Sequence, residues 1–359
     1  MDVTTAVFTV PLPDPETDGT LAWTATTMVT ATVSADGCTG LGWTYGPAAI
    51  AGVITDVLAP VVTPLDPMDI PAAYLRMRQA SRNAPTPGLA SYAIAAIDVA
   101  LWDLKARLLG ISVPRLLGTA DRKVPAYGSG GFTSLTDDQL RKQLEDWLGQ
   151  GLTAVKMKIG EDRGGNKRRD LHRIAVARDV IGPDVALMVD ANGGYQAKQA
   201  LYVAEAAADA DVSWFEEPVS SDQLDDLALL RGMIRPEVTA GEYGTTTEYF
   251  RRMCDAGAVD CLQVDASRCG GWTGLLAAAA VADTYGLQVS THCGPHLHAP
   301  AAPAIPNSRH AEYFADHVHA DRLLLDGLPP LENGSLRPDL AAAGHGMTLR
   351  PGADEFRVR

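Results

Sequence analysis

From residue 124 onward the chain repeats one pattern: a short β-rich run, a polar tip, then an Ala- and Leu-rich helical stretch. The runs VPAYGSG (from 124), AVKMKIG (154), ALMVDAN (186), VSWFEEP (212), VTAGEYG (238), CLQVDAS (261), QVSTHCG (288) and HAEYFAD (310) start about every 22 to 32 residues, the length of one βα unit. Stretches such as KQALYVAEAAADA and GLLAAAAVADTYG supply the helices. Eight such units in series predict a (β/α)8-type barrel. One unit is irregular, because PHLHAPAAPAIPNSR holds too many prolines for an ordinary barrel helix.

The segment before the barrel reads differently. TMVTATVSADGCTGLGWTY has β-rich runs on either side of Asp36-Gly37, a hairpin signal. In residues 87–110, Ile94, Ile97, Leu101, Leu104 and Leu108 recur at helical spacing, with Pro87 before them and Gly110 after. Residues 1–120 are therefore expected to form an α+β capping domain and 121–325 the barrel. The tail, 326–359, resumes loop and strand character and is expected to return to the first domain.

Composition narrows the partners. A net charge of −14 argues against nucleic acid, and no apolar run reaches the roughly 18 residues of a membrane span. MDVTTAVFTVPLPDPETDG carries no visible secretory signal. The cysteines at 38, 254, 261, 269 and 293 are odd in number and form no CxxC pair, as expected of free thiols in a reducing cytoplasm. Cys293 adjoins a histidine, but with no orienting group in view it reads as a small core residue before a nucleophile.

Polar residues stand near the C-terminal end of nearly every candidate strand: Lys156 and Lys158, Asp190 and Asn192, Glu216 and Glu217, Glu242, Asp265, His292, Glu312. In a barrel that end is where active sites assemble. Asp190, Glu216 and Glu242 lie on three consecutive strands, and three converging carboxylates repel unless a cation sits among them. All-oxygen ligation suits Mg²⁺. Of the adjacent pair, alternation lets only one reach the metal; Glu216 is taken as that ligand, and Glu217, on the opposite side of the strand, is expected to back the ligands or sit in a salt bridge. Asn192 is expected beside metal or substrate, or as a loop-turn residue.

KMK, DAN, EEP, GE, VDASRCGG, STH and AEYF, on successive strands, resemble the enolase superfamily in its mandelate racemase subgroup. AAIDVALWDLKARLLG resembles the helix that members carry before the barrel. The resemblance implies a capping domain over a (β/α)7β barrel, bound Mg²⁺, and removal of the proton α to a substrate carboxylate through an enediolate. It also implies that Glu312 hydrogen-bonds the substrate carboxylate, and a homo-oligomer, dimer or octamer. To donate, Glu312 would need to be protonated, so its pKa is expected to be raised.

Lysine is a poor base at neutral pH, but a neighbouring lysine and a dication disfavour its charged form. Lys158 is accordingly expected as acid/base catalyst, with Lys156 as tuning partner and donor to the substrate carboxylate. His292 is expected across the mouth, its tautomer set by Asp265. Arg268 stands where the resemblance suggests lysine, and alternation turns it away from Asp265. His298, more than His296, is a candidate substrate contact, and Tyr127, Tyr195 and Tyr243 are candidate donors to sugar hydroxyls. The expected reaction is dehydration of an acid sugar to a 2-keto-3-deoxy acid, because the lid segment LPDPETDGT is polar. A racemase or epimerase acting through two bases is the alternative. A silent barrel used for binding would lack a ligand or the dyad, and none is missing.

Overall fold

The computed structural model describes residues 1–84, 88–118 and 123–358. Pro87 and the expected domain boundary at 120/121 lie outside the described residues.

The N-terminal unit is an antiparallel sheet of β1 (Asp2–Thr17), β2 (Ala22–Ala35) and β3 (Cys38–Tyr45). Asp36 and Gly37 both take positive φ (50° and 77°), the conformation that a tight β2–β3 hairpin requires. The sheet packs on α1 (Leu89–Leu108), a helix buried along most of its length. Two glycines permit the close approach: a Cβ at Gly40 or Gly42 would meet the Ala100 or Ala96 carbonyl at 2.1 Å.

The barrel strands are β4 (Val124–Gly130), β5 (Ala154–Lys158), β6 (Ala186–Asp190), β7 (Val212–Glu216), β8 (Glu237–Ala240), β9 (Cys261–Val264), β10 (Gln288–Thr291) and β11 (Ser308–Phe314). Each pairs parallel with the next, and β11 pairs parallel with β4 to close the ring. Helices α2 (Asp137–Gly149), α3 (Lys167–Ile181), α4 (Ala197–Ala206), α5 (Leu224–Met233), α6 (Thr247–Asp255) and α7 (Gly271–Thr284) fill six connections. The seventh has only a single turn at Pro295–His298 and a 3₁₀ turn at Ala302–Ala304, as its prolines require. α8 (Ala315–Leu324) follows β11. The architecture is a (β/α)7β barrel with an α+β cap.

Strand alternation decides which side chains reach the mouth. Val155 and Met157 of β5 join the core between barrel and helices. Lys156 and Lys158 take the opposite face and are 0% and 4% exposed. Tyr127, Met188, Trp214 and Cys261 form a separate apolar cluster. Among the described residues, no helix is long and apolar enough to cross a membrane.

Cap and barrel are joined by buried polar contacts. Asp98 on α1 accepts from the Thr273 amide at 2.9 Å and the Thr273 hydroxyl at 2.6 Å, at the start of α7. Burial pushes its pKa up to about 7 against those donors. Asp98→Ala strands the Thr273 groups and is expected to cost about 1–3 kcal/mol, read as a lower urea midpoint with an unchanged m-value. The tail also touches the cap: the His345 amide donates to Asp103 at 2.8 Å and the Val358 amide to the Val7 carbonyl at 2.8 Å.

Candidate active site

The C-terminal ends of β5 to β11 bring most of the expected residues together under the β1–β2 hairpin. Asp190, Glu216 and Glu242, from β6, β7 and just past β8, each offer an oxygen, all within 4.8 Å of one another. Three buried oxygens here have no hydrogen-bond partner, Glu216 Oε1, Glu217 Oε1 and Asn192 Oδ1, and Glu242 Oε2 meets His292 Nε2. Buried carboxylate oxygens without donors call for a cation, and an all-oxygen donor set fits Mg²⁺.

Glu217 departs from expectation. β7 ends at Glu216, Glu217 takes φ +37°, and its side chain is buried facing Glu242 and Asp190 instead of pointing away. Burial and those carboxylates push its pKa well above the usual range. Asn192 also has positive φ, its amide donates to Asp190 Oδ1 at 2.8 Å, and it helps line a cleft of about 450 Å³ with Thr20, Arg163, Glu217 and Tyr243.

The lysines are tied to carboxylates. Lys156 Nζ lies 2.7 Å from Glu216 Oε2, 2.8 Å from Glu312 Oε1 and 3.8 Å from Asp190 Oδ2. Lys158 Nζ lies 2.5 Å from Asp190 Oδ2. Burial alone would lower both lysine pKa values, but these anions outweigh it and raise them. The expectation of a lowered Lys158 pKa is thus reversed by Asp190, the group a bound cation would engage. Glu312 is reversed as well. It accepts from Ser129 Oγ at 2.5 Å and the Cys293 amide at 2.7 Å, and Lys156 overcomes burial to hold its carboxyl well below the usual range. It is a charged acceptor here, not a donor.

His292 Nδ1 is 2.9 Å from Asp265 Oδ2, and its Nε2 is 3.1 Å from Glu242 Oε2. Burial would lower the imidazole pKa, but the Glu242 and Asp265 carboxylates raise it well above the ordinary value. Arg268 corrects the alternation argument. β9 stops at Val264, and in the turn that follows Arg268 Nε comes 3.3 Å from Asp265 while Nη1 donates to Glu242 Oε1 at 3.0 Å. Burial pushes the Cys293 thiol up to about 12, leaving it protonated, which fits a core residue and not a nucleophile.

Other candidates are drawn off by structure. The Ala266 amide donates to His298 Nε2 at 2.8 Å, and His298 Nδ1 is 2.9 Å from the Gly294 carbonyl. Backbone groups thus occupy both ring nitrogens of His298, which ties the turn after β9 to the turn after β10. His296 pairs with Asp321 at 2.7 Å. Tyr195 donates to Asp170 at 2.6 Å, and Tyr127 lies beneath Lys156, so only Tyr243 of the three tyrosines faces the cleft.

Sequence reasoning missed the supports. Gln263 Nε2 and Trp214 Nε1 donate to Glu216 Oε2 at 2.5 and 3.0 Å. Arg173 on α3 is fully buried and donates to the Lys158, Gly131 and Phe132 carbonyls at 2.7–2.8 Å, clamping the ends of β4 and β5. Only its place on a βα-unit helix hinted at this. Arg173→Met takes one donor from each of these carbonyls, of which Gly131 and Phe132 keep the Lys158 and Leu135 amides, and a loss of about 1–3 kcal/mol is expected in chemical denaturation.

The lid is seated firmly. The Thr133 amide donates to the Thr17 carbonyl at 2.8 Å, and Trp23 Nε1 donates to Asp316 Oδ2 at 3.0 Å. Trp23 packs edge-on against Phe132, which packs against Phe314. A Cβ at Gly19 would meet the Gly160 carbonyl at 2.5 Å, so only glycine lets the hairpin press on the loop after β5.

A barrel with this carboxylate cluster, lysine pair and Asp–His dyad belongs to the metal-dependent barrel enzymes. Residues 3–118 match the family described as mandelate racemase / muconate lactonizing enzyme, N-terminal domain, and 139–353 match the enolase C-terminal domain-like family. The chain belongs to the mandelate racemase / muconate lactonizing enzyme family of the enolase superfamily. It is 30% identical to a 3,6-anhydro-alpha-L-galactonate cycloisomerase from Streptomyces coelicolor, over 97% of this chain and 96% of that one. A mandelate racemase/muconate lactonizing enzyme-like protein from Rubrobacter xylanophilus superposes with TM-score 0.96 at 42% identity, covering 99% of each chain. A racemase from Streptomyces coelicolor solved with bound magnesium superposes with TM-score 0.93 at 29% identity, again over 99% of each. Further relatives are acid-sugar dehydratases, cycloisomerases and a dipeptide epimerase, so the fold houses Mg²⁺-dependent enzymes of this range.

Proposed function

We propose that the protein is a Mg²⁺-dependent acid-sugar dehydratase that forms a 2-keto-3-deoxy acid. The observation that supports this reading is a pair of proton carriers against the carboxylate cluster, Lys158 2.5 Å from Asp190 and His292 3.1 Å from Glu242. Asp190, Glu216 and Glu242 would hold the metal. The chemistry Mg²⁺ supplies when bound is Lewis-acid stabilisation of the charge that builds on the substrate carboxylate.

Lys156 orients that carboxylate, its own position fixed by Glu216 and Glu312. Lys158 removes the α-proton at Nζ. With Asp190 engaged as a ligand, Lys158 loses its tightest counter-ion, and burial then favours the neutral amine that can act as base. His292 is held protonated by its carboxylate neighbours and delivers a proton to the departing β-hydroxyl. Asp265 and Arg268 orient it.

Racemisation or epimerisation uses the same two carriers but returns the proton to the α-carbon. The polar lining of the cleft, with Thr20 of the lid beside Asn192, Ser220, Asp222 and Tyr243, favours a hydroxylated substrate and therefore elimination. The test is incubation with Mg²⁺ and a panel of aldonic and aldaric acids in D₂O. Semicarbazide-reactive keto product is expected; α-deuteration with inverted configuration and no keto product would assign a racemase instead.

A further inference from the structure

Cys293 takes no part in the steps above, yet it stands in a second cluster of potential ligands. One ligand atom each from His292, Cys293 and Glu312 lie within 4.8 Å of one another, and all three residues are buried. Neighbours on a strand alternate sides, but β10 stops at Thr291 and Cys293 takes φ +48°, so its side chain turns back toward His292. Its Sγ stands 3.2 Å from His292 Nε2. Glu312 on β11 reaches the same turn, its Oε2 accepting from the Cys293 amide at 2.7 Å. Ser129 and Lys156 use the other oxygen, Oε1, so Oε2 keeps a second lone pair. Phe132 and Phe314 pack beside the thiol and offer it no polar side-chain partner. Among the described residues, no other cysteine stands in such a group.

We propose that His292, Cys293 and Glu312 form a second metal site, for a thiophilic divalent ion such as Zn²⁺, and that filling it inhibits the enzyme by capping His292 Nε2. The donor set decides the ion. Mg²⁺ takes oxygen ligands and gains little from sulfur, whereas Zn²⁺ takes thiolate, imidazole and carboxylate together. A tetrahedral Zn²⁺ about 2.3 Å from sulfur and about 2.0 Å from nitrogen spaces those two atoms by about 3.5 Å, close to the 3.2 Å present. Asp265, 2.9 Å from Nδ1, stands where a carboxylate orients a metal-bound imidazole. On binding, the Cys293 S–H bond breaks, its electron pair forms the S–Zn bond, and the proton leaves to solvent; a proton on Nε2 leaves the same way. The set shares no ligand with Asp190, Glu216 and Glu242, so excess Mg²⁺ does not occupy it. With Zn²⁺ on Nε2, His292 can neither hold nor deliver a proton, and elimination stops. The inhibition, unlike the site itself, rests on the acid-sugar reading above.

The experiment adds Co²⁺, a spectroscopic stand-in for Zn²⁺, to the full chain in saturating Mg²⁺ and follows near-ultraviolet absorbance. Oxygen ligands give no thiolate-to-cobalt charge-transfer band, so that band reports sulfur alone. It is expected to saturate at one Co²⁺ per chain, to bleach when Zn²⁺ is added, and to be absent from Cys293→Ser and from His292→Asn, with thermal melts to confirm that both variants fold. Zn²⁺ is then added to the Mg²⁺-loaded protein during turnover of the aldonic and aldaric acids. At a concentration that bleaches the band, keto product is expected to slow at least tenfold in the wild type and less than twofold in Cys293→Ser, each against its own Zn²⁺-free rate. No band in the wild type, or a band that survives either substitution, overturns the site; survival in His292→Asn reduces it to a lone thiol. Equal slowing of wild type and Cys293→Ser overturns the inhibition through this site and assigns it to the carboxylate cluster. If no acid yields keto product, the dehydratase reading fails while the band still decides the site.

Discussion

His292→Asn is expected to slow keto-acid formation by about 10²–10⁴-fold while exchange of the substrate α-proton in D₂O continues. Asparagine keeps a donor near Asp265 but cannot carry a proton through the reaction. Lys158 lies at the end of β5, held by Asp190 and backed by Arg173, and none of these contacts involves His292. Proton abstraction should therefore outlast the loss of elimination. NMR in D₂O separates the steps: deuterium appears at the α-carbon of recovered substrate while keto product lags. Lys158→Met should abolish both. If His292→Asn stops exchange as well, the abstracting base is His292 and the two carriers exchange roles.

Glu216→Gln is expected to lower kcat by about 10³-fold or more, the scale of several kcal/mol of lost charge stabilisation, and to weaken Mg²⁺ binding measured calorimetrically. Glu216 differs from the other ligands in that Lys156, Gln263 and Trp214 all converge on its Oε2. The amide cannot keep its oxygen toward those donors and still present a second oxygen to a cation. One change thus removes a ligand and one of the two close anchors of Lys156. Chelation of the wild-type protein should reproduce the activity loss without displacing Lys156, so near-ultraviolet circular dichroism of Trp214 should move only in the variant.

The barrel was legible because its period is long and regular, and because parallel strands in this fold carry their chemistry at one end. Asp190, Glu216, Glu242, Asp265 and His292 followed from that rule. The errors cluster where strands stop. Period-two alternation has no force beyond the last ladder residue, so Glu217 at φ +37° and Arg268 in the turn after Val264 both point where alternation denied. Charge state was the second blind spot. The sequence shows Lys156 two residues from Lys158, but not that Asp190 would stand 2.5 Å from one amine and Glu312 2.8 Å from the other. How the lid is seated was invisible for a third reason: the Trp23–Asp316 bond joins residues 293 apart, and no local pattern encodes that contact.

Asp98 reaches from α1 to the first turn of α7, the helix that begins six residues after Asp265. A Cβ on Gly271 would strike its Oδ2 at 2.4 Å, so the two surfaces meet with no slack. The roof of the enzyme therefore also acts as a gauge for the imidazole: tilting it would shift the segment that aims Asp265 before any group under the hairpin moved. Remote lesions in α1 should for that reason disturb proton delivery more than substrate capture.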